Sequence, residues 1–253
     1  MAPCPLLEFF KRGEVARDVR LLAAQGEIAP RATEQLSILV LLLDDPDAEV
    51  RRAAEETLGR IPAETLAKFL ARPDTTPGVR EFFGDRGIFP ADAAGDDDES
   101  PLIDQGAAEE EETEEDKGSV LQRLQKMGFS ERLKSAIKGS REMRAILVRD
   151  PNKMIAAAVM SSPKLTQPEV ESIAKMANVS DEILRMIGAN RAWTRNYAIV
   201  VGLTRNPKTP VALSMNLMHR LSDRDLIQLS VDRNVPDPVR VAARKRIMDS
   251  SKK

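Results

Sequence analysis

The chain of 253 residues is poor in the side chains that usually carry chemistry, since it has one cysteine, one histidine, one tryptophan and one tyrosine. A lone cysteine, Cys4, excludes an intramolecular disulfide and any cysteine-held metal cluster. A lone histidine, His219, excludes a histidine-rich metal site and leaves no recognisable catalytic triad. Aromatic residues make up 4% of the chain, while helix-forming Ala, Leu, Arg, Glu and Met are abundant, which favours helices over a large sheet.

Phosphate loops and long apolar runs are missing as well. The 13 glycines form no glycine-rich phosphate loop. The longest apolar run, Leu36 to Leu43, is interrupted by Ser37 and is too short to span a bilayer. No apolar signal-peptide core precedes it, and the paired carboxylates fall at predicted helix starts, where they suit the helix dipole. We therefore expect a cytoplasmic protein that is not an enzyme and has no cofactor, metal or membrane span.

The near-neutral net charge of -2 conceals a strong separation of charge along the chain. Residues 91–117 carry a net charge of -12 and residues 118–253 carry +13. This contrast predicts three parts: a small helical-repeat domain over 1–90, an acidic disordered linker over 91–118, and a basic helical-repeat domain over 119–253.

The acidic segment holds two dense runs of like charge, 95–99 and 109–116. Such runs have little to bury, so they are typical of a disordered, self-repelling linker. The island Pro101-Leu-Ile-Asp104 interrupts them. It is either part of a plain tether or a short docking peptide.

The C-terminal part repeats itself with a period near 40 residues, which is typical of a stacked helical array. Three serines, Ser140, Ser180 and Ser222, precede apolar helical stretches as predicted N-caps. A capping box is predicted at Thr166-Gln-Pro-Glu169. Two further turns share a Pro-Lys dipeptide, at 162–166 and 206–209.

The N-terminal part follows the same pattern. Residues 61–80 align without gaps on residues 221–240, and the apolar positions agree. The stretch 46–58 is predicted to be an amphipathic helix with Val50 and Ala54 on its buried face. We therefore expect related helical units on both sides of the acidic segment.

These motifs resemble known helical repeats. Asp45-Pro-Asp-Ala-Glu-Val-Arg-Arg-Ala-Ala is similar to the second helix of a HEAT repeat. Asn206-Pro-Lys-Thr-Pro210, with Val239-Arg240 downstream, resembles the leucine-rich repeat variant family of bacterial helical solenoids. The resemblance implies an α-solenoid in two blocks joined by the acidic linker. Some members of that family carry a cysteine-rich iron–sulfur segment, which this chain lacks, and the resemblance supplies no catalytic residue.

The candidate binding residues are basic side chains at predicted helix ends and one aromatic pair. The basic residues are Arg149, Arg191, Arg205, Lys208 and Arg233. In a solenoid, equivalent turns line up along one edge, so these cations would form a positive ridge. The alternative interpretation is ordinary capping of helix C-termini.

Trp193 and Tyr197 are four residues apart and are predicted to share a helix face flanked by Arg191 and Arg195. If exposed, this set could stack on bases or hold an acidic partner. If buried, it fills the space between two repeats. The same two readings apply to the methionines before His219, because methionine serves both adaptable surfaces and core gaps.

Two functions fit this pattern. The first is an interaction scaffold whose basic C-terminal repeats bind an acidic protein partner, with the acidic linker folding back as a competitor at high effective concentration. The alternative is a nucleic-acid binder that uses the basic domain as an electrostatic footprint. The dispersed cations and the absence of a nucleic-acid motif favour the scaffold.

Overall fold

A computed structural model of the protein describes residues 4–73, 75–92, 99–105 and 117–250. Within these ranges the chain forms helices and turns without any strand, which confirms the all-α prediction. The helices are α1 (Pro5–Lys11), α2 (Arg17–Ala24), α3 (Ala32–Leu42), α4 (Ala48–Gly59), α5 (Ala63–Leu70), α6 (Pro77–Gly84), α7 (Lys117–Lys126), α8 (Phe129–Lys138), α9 (Arg141–Leu147), α10 (Lys153–Met160), α11 (Gln167–Lys175), α12 (Asp181–Ala189), α13 (Arg191–Thr194), α14 (Tyr197–Arg205), α15 (Val211–Met218), α16 (Asp223–Val231) and α17 (Asp237–Ser250).

Most of the two acidic runs of the predicted linker, 95–98 and 109–116, lies outside the described residues. Among the helices that are described, none combines the length and the apolar character needed to cross a membrane.

Helix starts are fixed by the predicted caps. The hydroxyl of Ser140 accepts a hydrogen bond from the third amide of α9, and Ser180 and Ser222 do the same for α12 and α16. The amide of Thr166 donates to the Glu169 carboxylate at 2.9 Å, which confirms the capping box that begins α11. Each cap supplies a partner for amides that a helix cannot satisfy internally.

The corners between helices share a second device. A side-chain oxygen accepts a hydrogen bond from the backbone amide two residues later, which closes an Asx turn and reverses the chain. Such turns are formed by Asp45, Asp150, Asn190, Asn206 and Asp232. The middle residue of each turn makes no contribution to this bond, so its side chain is available to the surface.

Residues 4–164 form one compact unit. A core cluster that includes Leu36, Phe69 and Phe83 joins α3, α5 and α6. Helix α10 contacts α1 and α8, so helices from both sides of the acidic segment pack within this unit. The division of the chain into 1–90, 91–118 and 119–253 stays a prediction.

Residues 165–253 form the other compact unit. Helices α14 and α15 contact each other, as do α16 and α17, and the two pairs meet through α14 against α16 and α15 against α17. Helix α11 approaches α14 closely at Gly202, where an added Cβ would lie 3.3 Å from the Cβ of Ala174. Glycine there permits the close helix packing.

The aligned segments 61–80 and 221–240 carry helices that begin at equivalent positions. Helices α5 and α16 begin at Ala63 and Asp223, and α6 and α17 begin at Pro77 and Asp237. The aligned apolar pairs are buried in both segments: Leu66 and Leu226, Phe69 and Leu229, Val79 and Val239.

Candidate protein-binding site

A cavity of about 430 Å³ lies between α15 and α17 in the unit 165–253. Met215 and Met218 on α15, together with Ala242 on α17, give it an apolar wall. Methionine is flexible and polarisable, so this wall can adapt to differently shaped apolar groups.

The polar side of the cavity is mainly basic. Lys245, Arg246 and Asp249 line it from α17, and His219, which follows α15, lines it from the other side. The Arg246 guanidinium contacts Nδ1 of His219, and its Nη2 lies 3.4 Å from the His219 carbonyl oxygen. These contacts hold the guanidinium at the end of α15. The arrangement can receive an apolar side chain and place a carboxylate next to a cation.

A hydrogen-bond network joins α14 to the start of α16. The Tyr197 hydroxyl donates to Oδ2 of Asp225 at 2.6 Å and accepts from the Ser222 amide at 2.9 Å. Nη2 of Arg205 lies 3.0 Å from Oδ1 of Asp225, and the same guanidinium donates to the Gln228 side chain. Tyr197 and Arg205, two predicted binding residues, are thus brought together by one carboxylate that they both contact.

The network lowers the pKa of Asp225 below its usual value. The largest cause is the hydrogen bond from Tyr197, followed by the one from Ser222, and the positive charge of Arg205 adds to them. Each contact favours the ionised carboxylate. The Asp225 carboxylate is therefore ionised at neutral pH, and its hydrogen bonds join α14 to α16.

The predicted aromatic pair does not share one helix. Trp193 lies in the four-residue α13 and is 8% exposed, whereas Tyr197 begins α14 and is 43% exposed. Between them, the Asn196 side chain accepts a hydrogen bond from the Ala198 amide and starts a new helix. Trp193 is a buried packing residue, which matches the second of the two predicted readings.

The other predicted cations lie at different places. Arg191 and Arg195 are exposed on either side of Trp193. Arg149 is also exposed and donates to the Ala145 carbonyl, but it belongs to the unit 4–164.

Lys208 and Arg233 are exposed at two Asx-turn corners. The first of these corners precedes α15 and the second precedes α17.

The corner at Lys208 is held by Asn206, a role that the sequence did not reveal. Asn206 is buried, and its amide nitrogen donates to the carbonyls of Ala174 and Met176, both at 2.9 Å. Ser162 plays a similar role, since its hydroxyl donates to the Ile137 carbonyl. The shared Pro-Lys dipeptide was the signal that could have revealed this clamp.

Within the part of the chain that the structure describes, no group of three or more His, Cys, Asp and Glu side chains is placed to hold a metal ion. The described residues thus define an all-helical protein with a basic, methionine-lined cavity. No protein family, curated protein or solved structure matches this chain.

Proposed function

We propose that this protein is a non-enzymatic interaction scaffold whose basic C-terminal helical repeats bind an acidic segment of a partner protein. The observation that carries the proposal is the cavity between α15 and α17, which combines Met215 and Met218 with Lys245 and Arg246. An amphipathic segment with apolar and acidic side chains matches both parts of that lining.

The proposal includes an α-solenoid of HEAT-like or leucine-rich repeat variant-like units, in two blocks joined by a disordered acidic linker. Its support is the packing of two helical pairs in residues 165–253, α14 with α15 and α16 with α17. The first helices of the two pairs, α14 and α16, contact each other, and so do the second helices, α15 and α17. That pattern is typical of stacked repeats. The equivalent helix starts in 61–80 and 221–240 extend the same argument to the N-terminal part.

The exposed cations add a basic edge to this scaffold. Lys208 and Arg233 stand at the corners that join α14 to α15 and α16 to α17. In stacked pairs, equivalent corners fall on one edge, so the two side chains would extend the binding surface along it. Arg191 and Arg195 are two further exposed cations of the same unit.

The acidic linker would modulate this binding as a tethered competitor. Three of its carboxylates are described, and two of them are paired with cations: Glu99 with Arg31 and Asp104 with Lys138. The second pair joins the linker to a cation of the basic sequence 118–253, Lys138 on α8, which belongs to the unit 4–164 and does not line the cavity.

Burial of Trp193 favours a protein partner over nucleic acid. Single-stranded nucleic acid is commonly held by aromatic side chains on which bases stack. The only tryptophan is packed inside, and the Tyr197 hydroxyl is engaged with Asp225. The positive charge of residues 118–253 still favours nucleic acid, so the experiment must distinguish nucleic-acid binding from protein binding.

Fluorescence anisotropy on the full chain tests the proposal. The probes are an amphipathic peptide of alternating Leu and Glu clusters, a scrambled peptide of equal charge, and a single-stranded oligonucleotide. The cavity variant Lys245→Glu/Arg246→Glu is compared with Lys175→Glu/Arg185→Glu, which changes the charge equally at exposed sites in the same unit.

We expect the cavity variant to bind the amphipathic peptide at least about tenfold more weakly than the control variant does. Equal losses in both variants would contradict a site in the cavity. Tighter binding of the oligonucleotide, weakened equally by both variants, would replace the proposal with non-specific nucleic-acid binding.

A further inference from the structure

A short part of the acidic segment, Glu99–Gln105, lies against the helices of the unit 4–164, and we call it the strap. The side chain of Gln35 on α3 forms hydrogen bonds with the backbone of the strap. The amide oxygen of Gln35 accepts from the amides of Leu102 at 2.8 Å and Ile103 at 3.1 Å, and its nitrogen donates to the Ile103 carbonyl. One glutamine therefore binds three main-chain groups of a non-helical segment that bends at Leu102.

The two ends of the strap are also held through main-chain atoms. The Glu99 carbonyl accepts from the Ala32 amide, and the Gln105 amide donates to the Gly26 carbonyl, both at 3.2 Å. Main-chain atoms are common to all peptides. A groove that binds them in this way can therefore accept a segment of another sequence that bends as the strap does.

Side chains supply the selectivity. Leu102 and Ile103 pack against the core cluster of α3, α5 and α6. Gly26 has a φ of +76°, and a Cβ built on it would lie 3.0 Å from the Ile103 side chain. Because Gly26 has no side chain, the corner after α2 leaves room for a branched apolar residue at the position of Ile103.

Charged side chains flank the apolar pair. Oε2 of Glu99 lies 2.9 Å from Nε of Arg31, and Asp104 forms an ion pair with Lys138 of α8. The groove therefore distinguishes a segment with carboxylates on both sides of its apolar pair from one that is apolar alone.

Gln35 shows that the groove is built for a peptide. Its side chain is 2% exposed, and the hydrogen bonds described for its amide all go to the strap. An occupant that offers main-chain groups thus both covers this amide and satisfies its hydrogen bonds.

We propose that the groove around Gln35, Gly26, Arg31 and Lys138 is a recognition site for a non-helical segment of a partner protein that adopts the bend of the strap. The segment would carry two adjacent apolar residues between carboxylates, and the strap would be its tethered competitor. The effective concentration of a short flexible tether is of millimolar order, so an external segment must bind more tightly or arrive in multivalent form. This site belongs to residues 4–164 and stands independently of the cavity between α15 and α17.

The test uses a full chain that folds before the strap is freed. Residues 92–98 and 108–114 are each replaced by the recognition sequence of a site-specific protease, and the folded protein is cut at both places. A fluorescein-labelled peptide with the sequence of residues 99–105 is then added in excess. Anisotropy follows its binding, and mass spectrometry follows release of the original strap.

We expect the labelled peptide to bind the cut chain at least about tenfold more tightly than the uncut chain. A peptide with Leu102→Asp and Ile103→Asp should not bind. Gln35→Ala in the cut chain should weaken binding by about tenfold or more, whereas Gln125→Ala, the same change at an exposed position of α7, should leave it unchanged.

Three results would overturn the proposal. A strap that stays in the cut chain against excess peptide is a fixed part of the fold. Equal binding by the Gln35→Ala and Gln125→Ala chains removes the groove as the binding site. A concentration-dependent dimer of the uncut chain that Ile103→Asp abolishes would assign the groove to a second copy.

Discussion

The Tyr197 hydroxyl lies 2.6 Å from Oδ2 of Asp225 and donates a hydrogen bond to it, although the two residues are 28 positions apart. This bond fastens the first residue of α14 to the first turn of α16. The geometry explains why the only tyrosine is partly exposed and yet engaged with its own chain.

The first prediction is that Tyr197→Phe destabilises the protein by about 1–2 kcal/mol, since the hydrogen bond to the Asp225 carboxylate and the one from the Ser222 amide are lost while the ring remains. Urea denaturation of the full chain measures the change. Lys208→Phe, an aromatic substitution at an exposed corner without a described side-chain bond, is the control and should shift stability by no more than about 0.5 kcal/mol.

The same variant should change the titration of Asp225. Hydrogen bonds from Tyr197 and Ser222 lower the pKa of this carboxylate below its ordinary value of 3.8. Its contribution to stability is therefore present above about pH 4 and is lost as the pH falls through the lowered pKa. In Tyr197→Phe the pKa should rise towards 3.8, as measured by NMR titration of the side-chain carboxyl. An unchanged pKa would show that the tyrosine is not the main cause.

The second prediction concerns the buried clamp at Asn206. Asn206→Ala should destabilise the protein by about 2–3 kcal/mol, because the carbonyls of Ala174 and Met176 lose their shared donor and the Asx turn loses its acceptor. Lys208→Ala, two residues away and exposed, should cost less than about 0.5 kcal/mol. Similar losses in the two variants would contradict the clamp.

The third prediction is a pH dependence from Glu34. Its carboxylate is buried and accepts from the Leu7 amide at 3.0 Å. Burial is the main reason that its pKa rises from 4.5 to about 7, against the opposing hydrogen bonds from Ser161, Leu7 and Leu6 and the charge of Arg31.

Because the folded state holds this proton more tightly than the unfolded state, its contribution to stability is complete below about pH 4.5 and is lost as the pH rises to about 7. The loss is about 3 kcal/mol from a shift of this size. Urea denaturation across that range should show the decline in the natural chain and a weaker one in Glu34→Gln. Parallel curves for the two proteins would assign the decline to another group.

The fourth prediction separates backbone strain from strap packing. Gly13 and Gly26 both have positive φ values, +69° and +76°, but only at Gly26 would a Cβ approach the strap. Gly13→Ala should cost about 1 kcal/mol from the left-handed backbone alone. Gly26→Ala should cost about 1–3 kcal/mol more, because the methyl group would press on Ile103.

A double-mutant cycle completes this test. In a chain that carries Ile103→Gly, the difference between the two alanine variants should shrink, since the side chain that the new methyl group would contact is gone. A difference that persists would trace the cost to Thr57, the other close neighbour of Gly26.

Local features of this fold could be predicted because their signals lie within a few residues. The caps at Ser140, Ser180 and Ser222 and the capping box at Thr166 each join a side chain to an amide three residues away. The all-helical composition required no long-range information either.

Features that depend on distant partners could not be predicted. The reach of Asn206 to the end of α11 and the docking of the strap on Gln35 join residues that are about 30 and 68 positions apart. The helix break between Trp193 and Tyr197 is local, but an asparagine in a helical pattern does not by itself tell whether its side chain will cap a new helix.

The Asx-turn corners separate the residue that determines the chain direction from the residue that meets solvent. At the corner of Asn206 the buried amide sets the turn, while Lys208 contributes only its backbone amide to it and leaves its side chain outside. Selection can therefore alter the charge of this edge one residue at a time without disturbing helix packing. The charge pattern along such an edge can diverge faster than the helical architecture.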